Sequence, residues 1–348
     1  MLLDGLHIPL TTPFYPDGRV YLRKLEHNVE RYSRTPATCL SVLTRTGEAS
    51  LVSDAEAREI FRTAIEASAP VKGMIADVSR DSVLNTLDLA DHVAALSYDV
   101  ILLRIPGLLA GSADDPRARL LYFQSIADRS PLPILLEDHP SLSPDLIAEL
   151  SANPAVLGIA LRESTVERLA QIRSAAAPLT REVTVTAVFA AVTRRMQTPQ
   201  SSAATGNYIA AGSLTGGSTA LATAPPPPAI KTRTKTVGFQ IVCGRTSDLL
   251  ACLEAGVAAA ALPLATAAPQ AVHEVLAAWK DGDPKLAAEK QARLLAAADF
   301  IEQRLGVSAL KAAADLNGYF GGRPRLPLLP ISGDDRAEVE RLMAGMRN

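Results

Sequence analysis

The sequence predicts one (β/α)8 barrel, an α/β fold in which eight parallel strands alternate with helices. Short apolar runs without hydrophobic alternation recur along the 348 residues, a pattern typical of parallel strands that are buried on both faces. Amphipathic segments with helix-start signals lie between the runs, and βα units of this kind close into a barrel. An open doubly wound sheet is the alternative, but no glycine-rich phosphate turn follows the first run.

Eight apolar runs are the predicted strands. Because parallel barrel strands bring their carboxyl ends to one rim, we expect the polar residues that follow the runs to meet there. In chain order the runs are Gly5–Pro9, Cys39–Leu43, Met74–Val78, Val100–Leu103, Ile134–Leu136, Val156–Leu161, Phe239–Cys243 and Ala258–Leu264.

Helix-start signals separate these runs. Ser53 and Glu56 have the spacing of a capping box, in which each side chain bonds the other residue's backbone N–H. Pro144 follows Ser143 as a first helical residue, and Ser82 precedes a helical apolar face. These signals predict a helix after each of three strands.

Residues Ala177–Thr236 are predicted to form an insertion within the barrel, because this stretch is rich in Ala, Thr, Ser and Gly. We predict a strand over Val183–Val188, a short helix over Phe189–Met196 and a mobile excursion over Pro199–Ile230. A lid or a subunit contact is one interpretation of the insertion. An insertion without a chemical role is the favoured one.

The predicted organisation is a barrel over residues 1–268, which contains this insertion, and a helical extension over residues 269–348. The segment Pro269–Asn317 is rich in Ala and Leu and predicts helices packed outside the barrel, a usual place for contacts between subunits.

Composition excludes several classes of protein. The formal net charge of −2 gives no basic excess for nucleic acid, and no apolar run approaches the roughly 18 residues of a membrane span. No signal peptide is recognised at the N-terminus. Cys39, Cys243 and Cys252 lack metal-ligand spacing and predict buried free thiols in a reducing cytoplasm.

Several stretches, in order, resemble the dihydrodipicolinate synthase and N-acetylneuraminate lyase family over roughly Gly5–Ala176 and Val237–Ile331. The matching motifs include Ile8–Phe14, Thr46-Gly47-Glu48, Pro131–Ile134, Val156–Ile159, Gly306–Lys311 and Arg323–Leu328. The resemblance implies a (β/α)8 barrel, a homodimer or homotetramer, no cofactor, and a small 2-oxo acid or other carboxylate as ligand. It also implies a Schiff base between a lysine of strand six and the keto group of pyruvate or a related acid.

The position of that lysine is altered here. An alignment without gaps through Glu167–Ile172 puts Ala160 at the lysine position, and a shift by two residues puts Arg162 there. A guanidinium stays protonated and cannot replace an amine nucleophile. No lysine lies between Lys72 and Lys231, so we expect the usual Schiff base to be lost.

Three other segments depart from the family pattern. Glu137 takes the place of the strand-five tyrosine, and Arg45 replaces the first threonine of the pair after strand two, whereas Thr46 and Gly47 remain. The segment after strand four, around Gly107, lacks the aromatic residues of the family. A buried carboxyl with a raised pKa can still transfer protons, and an arginine can bind a carboxylate with two hydrogen bonds.

Charged residues at the strand ends are the candidate site. We predict Glu137, Arg162 and Glu163 as catalytic residues, and Arg45, Thr46, Gly47, Arg104 and His139 as substrate-binding residues, without a metal.

Three interpretations of this group stay open. The first is recognition of a carboxylate by the arginines, with Glu137 or Glu163 as base. The second is a divalent metal held by Glu137, His139 and Asp77. The third is mutual neutralisation of arginines and carboxylates in a former active site.

The function predicted is that of a lyase or aldolase acting on a 2-oxo acid or related carbonyl acid by a changed mechanism. The alternative is a catalytically inactive relative that binds a ligand or modulates an oligomer.

Overall fold

The computed structural model describes residues 1–111, 115–163, 165–187 and 231–346. Eight parallel strands within these residues close into a barrel, with the circular order β1-β2-β3-β4-β5-β6-β9-β10, and the predicted (β/α)8 fold is confirmed. The strands are β1 (Gly5–Pro9), β2 (Cys39–Val42), β3 (Gly73–Asp77), β4 (Val100–Leu103), β5 (Ile134–Glu137), β6 (Val156–Ala160), β7 (Arg181–Ala187), β8 (Lys231–Val237), β9 (Gln240–Cys243) and β10 (Ala259–Ala261).

Helices cover the outside of the barrel. Ser53 forms the predicted capping box with Glu56, and Ser82 and Ser143 cap the next two predicted helices. In chain order the helices are α1 (Leu22–Ser33), α2 (Asp54–Ala67), α3 (Val83–Ala95), α4 (Pro116–Ala127), α5 (Pro144–Ser151), α6 (Val166–Ala175), α7 (Leu249–Glu254), α8 (Pro269–Lys280), α9 (Pro284–Ala297), α10 (Val307–Leu316) and α11 (Gly333–Met343).

The apolar core has two parts. A large outer layer packs strand residues such as Ile8 and Leu40 against helix residues such as Phe61. A smaller cluster fills the barrel interior and includes Ile75, Leu102, Leu135, Leu3, Cys39 and Val100. Residues two apart on a strand face the same side of the sheet. The interior positions Ile75, Leu102 and Leu135 therefore show which later residues of β3, β4 and β5 point into the barrel mouth.

Strands β7 and β8 pair with each other in antiparallel fashion and lie in a sheet separate from the barrel. The predicted strand Val183–Val188 is confirmed with shifted bounds. Its partner Lys231–Val237 was not predicted as a strand, because it alternates Lys or Arg with Thr and has no apolar run. The predicted helix Phe189–Met196 and the excursion Pro199–Ile230 lie outside the described residues.

The C-terminal helices are present as predicted, and they are anchored to the loop after β2. Lys311 on α10 forms an ion pair with Glu48, and both side chains are fully buried. Glu48 also accepts a hydrogen bond from the backbone N of Arg325, at 2.7 Å. Residues Ala298–Leu305 between α9 and α10 form a π-helix, a rare element that often lies at functional sites. In the part of the chain that the structure describes, no helix has the length and apolarity to cross a membrane.

Candidate functional site

A cavity of about 280 Å³ lies at the carboxyl ends of the barrel strands, and we call it the inner cavity. Its walls come from seven of the barrel strands, from the loops that follow them, and from the π-helix. The residues lining it are His7, Pro9, Ser41, Thr44, Arg45, Thr46, Ile75, Leu102, Leu135, Glu137, Ala160, Leu161, Arg162, Gly244, Arg245, Ala261, Pro263, Glu302 and Gln303.

Small side chains leave the room for this cavity. Ser41, Ala160 and Ala261 are wall residues at positions where larger side chains would fill the barrel centre. Glu137 lies two residues after Leu135 on β5 and therefore faces the interior as Leu135 does. On β6, Ala160 is the residue paired with Glu137, so these two positions lie side by side in the cavity wall.

The two carboxylate oxygens of Glu137 differ in their hydrogen bonding. Arg45 Nε donates to its Oε1 at 2.7 Å, whereas its buried Oε2 has no hydrogen-bond partner among the described residues. Arg104 Nε is 3.8 Å from Oε2. Burial raises the pKa of Glu137, and Arg45 opposes this effect. A buried carboxyl with a raised pKa is suited to exchange a proton with a bound molecule.

Arg104 is held by a carboxylate behind the site. Its Nε donates to Asp77 Oδ2 at 2.6 Å, and Asp77 is fully buried. This pairing raises the pKa of Arg104. Arg104 lines a second cavity of about 530 Å³, which we call the outer cavity. Its other lining residues include Arg45, Ser50, Ser79, Arg80, Asp81, His139 and Arg162.

The remaining predicted site residues lie in different places. Arg162 is exposed and lines both cavities. His139 lines the outer cavity, where its Nδ1 is 2.5 Å from Ser141 Oγ; burial and Arg162 lower its pKa. Glu163 lies in a separate groove with Arg168. The carbonyl of Gly47 accepts from Thr12 Oγ1 at 2.6 Å.

The structure thus brings four of the predicted residues together at the inner cavity, namely Arg45, Thr46, Glu137 and Arg162. Arg104 and His139 belong to the outer cavity. Gly47 and Glu163 are not among the residues that line either cavity.

Lysine side chains lie elsewhere. None of those that the structure describes lines the inner cavity. Lys72 donates to the carbonyl of Thr35 at 2.7 Å and to that of Ala37 at 2.6 Å, at the amino ends of the strands. Lys235 pairs with Asp4 at 2.8 Å. The side chain of Lys231 lies outside the described part.

The described residues do not offer a group of side chains that fits the metal-binding interpretation. Within the described ranges, no group of three or more His, Cys, Asp or Glu side chains is arranged to hold a metal ion. Of the three ligands considered, Asp77 faces Arg104 and Glu137 faces Arg45.

His7 and Glu302 are among the polar residues of the inner cavity that were not predicted from the sequence. His7 is fully buried on β1, and counting by two back from Pro9 would have placed it inside the barrel. Glu302 comes from the π-helix, and no local pattern connects that helix with the barrel mouth. Burial raises the pKa of Glu302 to about 7, and its Oε1 accepts from Leu264 N at 2.6 Å.

Four buried polar atoms of the inner cavity have no hydrogen-bond partner among the described residues. They are His7 Nδ1, Thr44 Oγ1, Glu137 Oε2 and Arg245 Nε. Buried polar groups in folded proteins are nearly always hydrogen-bonded. Two of the four lie near an opposite charge, since Glu137 Oε2 is 3.8 Å from Arg104 Nε and Arg245 Nε is 3.9 Å from Asp248 Oδ2. His7 Nδ1 and Thr44 Oγ1 are the two that a bound molecule would satisfy.

Comparison with known proteins now identifies the family. The model of the dihydrodipicolinate synthetase family matches residues 2–181 and 228–345. The chain belongs to this family. It is 23% identical to the 4-hydroxy-tetrahydrodipicolinate synthase of Acidiphilium cryptum, and the match covers 99% of each chain.

Solved structures agree on the fold. A putative dihydrodipicolinate synthetase from Pseudomonas aeruginosa matches with a TM-score of 0.77 and 18% identity, over 99% of this chain and 100% of that one. YagE, a prophage protein of the same family from E. coli that was solved in complex with pyruvate, matches with a TM-score of 0.75 and 19% identity, over 99% of each chain. At such identities the structural likeness establishes the fold alone.

Proposed function

We propose that this family member is an aldolase-type lyase that acts on a 2-oxo acid or related carbonyl acid without a Schiff base. Family membership supports the lyase class. The observation that carries the changed mechanism is the lining of the inner cavity, where Ala160 lies beside Glu137 and no described lysine side chain contributes.

The proposed mechanism assigns binding to Arg45 and Thr46, which hold the carboxylate of the substrate at the cavity entrance. In the cleavage direction, Glu137 removes the proton of a substrate hydroxyl, and the oxygen forms a new carbonyl as the neighbouring carbon–carbon bond breaks. The aldehyde or ketone so formed leaves, and the electron pair of the broken bond passes to the keto oxygen of the remaining acid as an enolate. Arg162 stabilises the negative charge on that oxygen. Glu137 then returns the proton to carbon, which releases the acid.

Glu137 is preferred over Glu163 as the base for two reasons. Glu137 lines the inner cavity with a free oxygen, whereas Glu163 is exposed in a separate groove. We assign Arg104 a positioning role through Asp77 and Glu137, and Gly47 a role in shaping the loop after β2. His139 contacts the far end of the substrate from the outer cavity.

Exchange of the methyl protons of pyruvate with deuterium tests this function, because it requires formation of an enolate but no second substrate. We expect the protein in D2O to catalyse the exchange, followed by NMR. Glu137→Gln should slow it by about 100-fold or more, the usual contribution of a general base. Glu163→Gln is the matched control and should retain activity.

A catalytically inactive, ligand-binding relative is the second candidate. The ion pairs Arg45–Glu137 and Arg104–Asp77 favour it, because they neutralise the charges that catalysis would use. Calorimetry of pyruvate binding, combined with the exchange assay, separates the two candidates. Binding without proton exchange supports the inactive relative, and proton exchange excludes the inactive relative.

We further propose a cytoplasmic homo-oligomer. Leu84 on α3, Leu108 in the loop after β4 and Leu121 on α4 are 69%, 74% and 65% exposed, and a contiguous exposed apolar patch would mark a surface where subunits meet. All three cysteines are buried and none forms a disulfide bond, which fits a reducing compartment. Light scattering on the purified protein tests the oligomer: a monomer mass would contradict it.

A further inference from the structure

His7 is a buried polar residue that the proposed mechanism does not use. It lies in the middle of β1, paired with Ala261 and Cys39 on the neighbouring strands. Its exposure is 0%, yet it contributes to the wall of the inner cavity. The surrounding wall is otherwise apolar or small and includes Ser41, Ile75, Leu102, Leu135, Ala160 and Ala261.

The hydrogen bond to Leu3 fixes the tautomer of this histidine. His7 Nε2 is 2.7 Å from the carbonyl oxygen of Leu3. A carbonyl oxygen can only accept, so Nε2 carries the proton and Nδ1 presents a lone pair. Burial lowers the pKa of His7 to about 4, so the ring is neutral near pH 7 and Nδ1 remains an acceptor.

No described residue donates to this acceptor. His7 Nδ1 is buried and unpartnered, and an unsatisfied acceptor in an apolar wall is destabilising. A ligand with an aliphatic end would leave it unpaired, whereas a ligand with a hydroxyl group would satisfy it. Histidine at this position therefore favours one class of ligand.

We propose that His7 Nδ1 accepts a hydrogen bond from a hydroxyl group of the bound substrate, so that the inner cavity selects hydroxylated carbonyl acids over plain 2-oxo acids. The inference rests on the proposed function, in which Arg45 and Thr46 hold the carboxylate. His7 acts as a specificity-determining residue and takes no part in the proton transfers assigned to Glu137.

Calorimetry with pyruvate and 3-hydroxypyruvate tests the inference, because the two acids differ by one hydroxyl group. The wild type should bind 3-hydroxypyruvate about tenfold more tightly, since one satisfied buried acceptor is enough for that ratio.

Two variants separate the roles of the ring nitrogens. In His7→Gln the amide still donates to Leu3 but nothing replaces Nδ1, so the preference should disappear while pyruvate affinity changes by less than about threefold. In His7→Asn the amide oxygen lies near the position of Nδ1, and the preference should be retained.

Each result bears on the inference. Equal affinity of the wild type for both acids overturns it, while pyruvate binding and proton exchange would leave the proposed function standing. If neither acid binds, both proposals fail. If His7→Gln does not fold, nitrogen NMR of the wild type replaces it. The Nδ1 resonance should then move with 3-hydroxypyruvate and not with pyruvate, and an unmoved resonance contradicts the inference.

Discussion

Glu137 and Ala160 are paired residues on the neighbouring strands β5 and β6, and both line the inner cavity. The family resemblance leads one to expect a tyrosine and a lysine at these positions. The alignment without gaps assigns the tyrosine and lysine positions to Glu137 and Ala160, and the strand register places these two residues side by side. Arg162, the other candidate for the lysine position, follows β6 and is exposed at the rim.

The first prediction restores the missing pair. In the double variant Ala160→Lys with Glu137→Tyr, the new amine enters the inner cavity, which Arg45 also lines, and the positive charge of Arg45 lowers the pKa of the amine. We expect borohydride to trap a pyruvate adduct, detected by mass spectrometry. Ala160→Met with Glu137→Tyr is the matched control, since it fills similar volume without an amine. A folded lysine variant that gives no adduct would mean that the cavity does not hold pyruvate there.

The second prediction concerns the buried ion pair between Lys311 and Glu48. Lys311→Met leaves the buried Glu48 carboxylate with the backbone N–H of Arg325 but without its charged partner, and should lower the free energy of unfolding by about 3–5 kcal/mol. Urea denaturation measures this change. Lys290→Met removes the half-exposed pair with Glu274, whose N–O distance is 2.8 Å, and should cost less than about 1 kcal/mol. Equal losses for the two variants would contradict the structural role given to Lys311.

The third prediction concerns Glu302 and pH. Its folded-state pKa of about 7 lies above the unfolded value of 4.5, so the folded protein retains a proton that the unfolded chain loses. Between about pH 4.5 and 7 this group lowers stability as pH rises, by up to about 3 kcal/mol. Glu302→Gln should remove that decline. The difference in the free energy of unfolding between the variant and the wild type should therefore change with pH. A difference independent of pH would show that the pKa of Glu302 is not raised in the folded protein.

The fourth prediction concerns His7, whose contribution to stability changes with pH in the direction opposite to that of Glu302. Its folded-state pKa of about 4 lies below the unfolded value of 6.5, so the folded state resists protonation. The stabilising contribution is complete above pH 6.5 and is lost as pH falls toward 4. In the window shared by the two groups, His7 and Glu302 compensate each other in the wild type. Thermal unfolding of His7→Gln should show less loss at acid pH than the wild type; an equal loss would contradict a neutral, buried His7.

The barrel could be predicted from sequence because parallel strands buried on both faces leave continuous apolar runs. Gly5–Pro9 and Val100–Leu103 were predicted with the bounds that the structure shows. The strand Lys231–Val237 could not be predicted in this way. Its partner is Arg181–Ala187 rather than a barrel strand, and it has no apolar face to reveal it.

The site was predictable where residues end a strand or lie in the loop just after it. Arg45, Thr46, Glu137 and Arg162 come to the inner cavity for that reason. Glu302 could not be found, because its place depends on how the C-terminal helices pack. The pairing of Arg104 with Asp77 was likewise hidden, since sequence places both at the rim without showing which charges neutralise each other.

Borohydride reduction of the wild-type protein with pyruvate, followed by mass spectrometry of the intact chain, tests the central claim most directly. No lysine side chain that the structure describes lines the inner cavity, and this predicts an unchanged mass after reduction, under conditions in which pyruvate binds. A stable adduct that maps to a lysine would contradict the claim and would return this chain to the Schiff-base chemistry of its family.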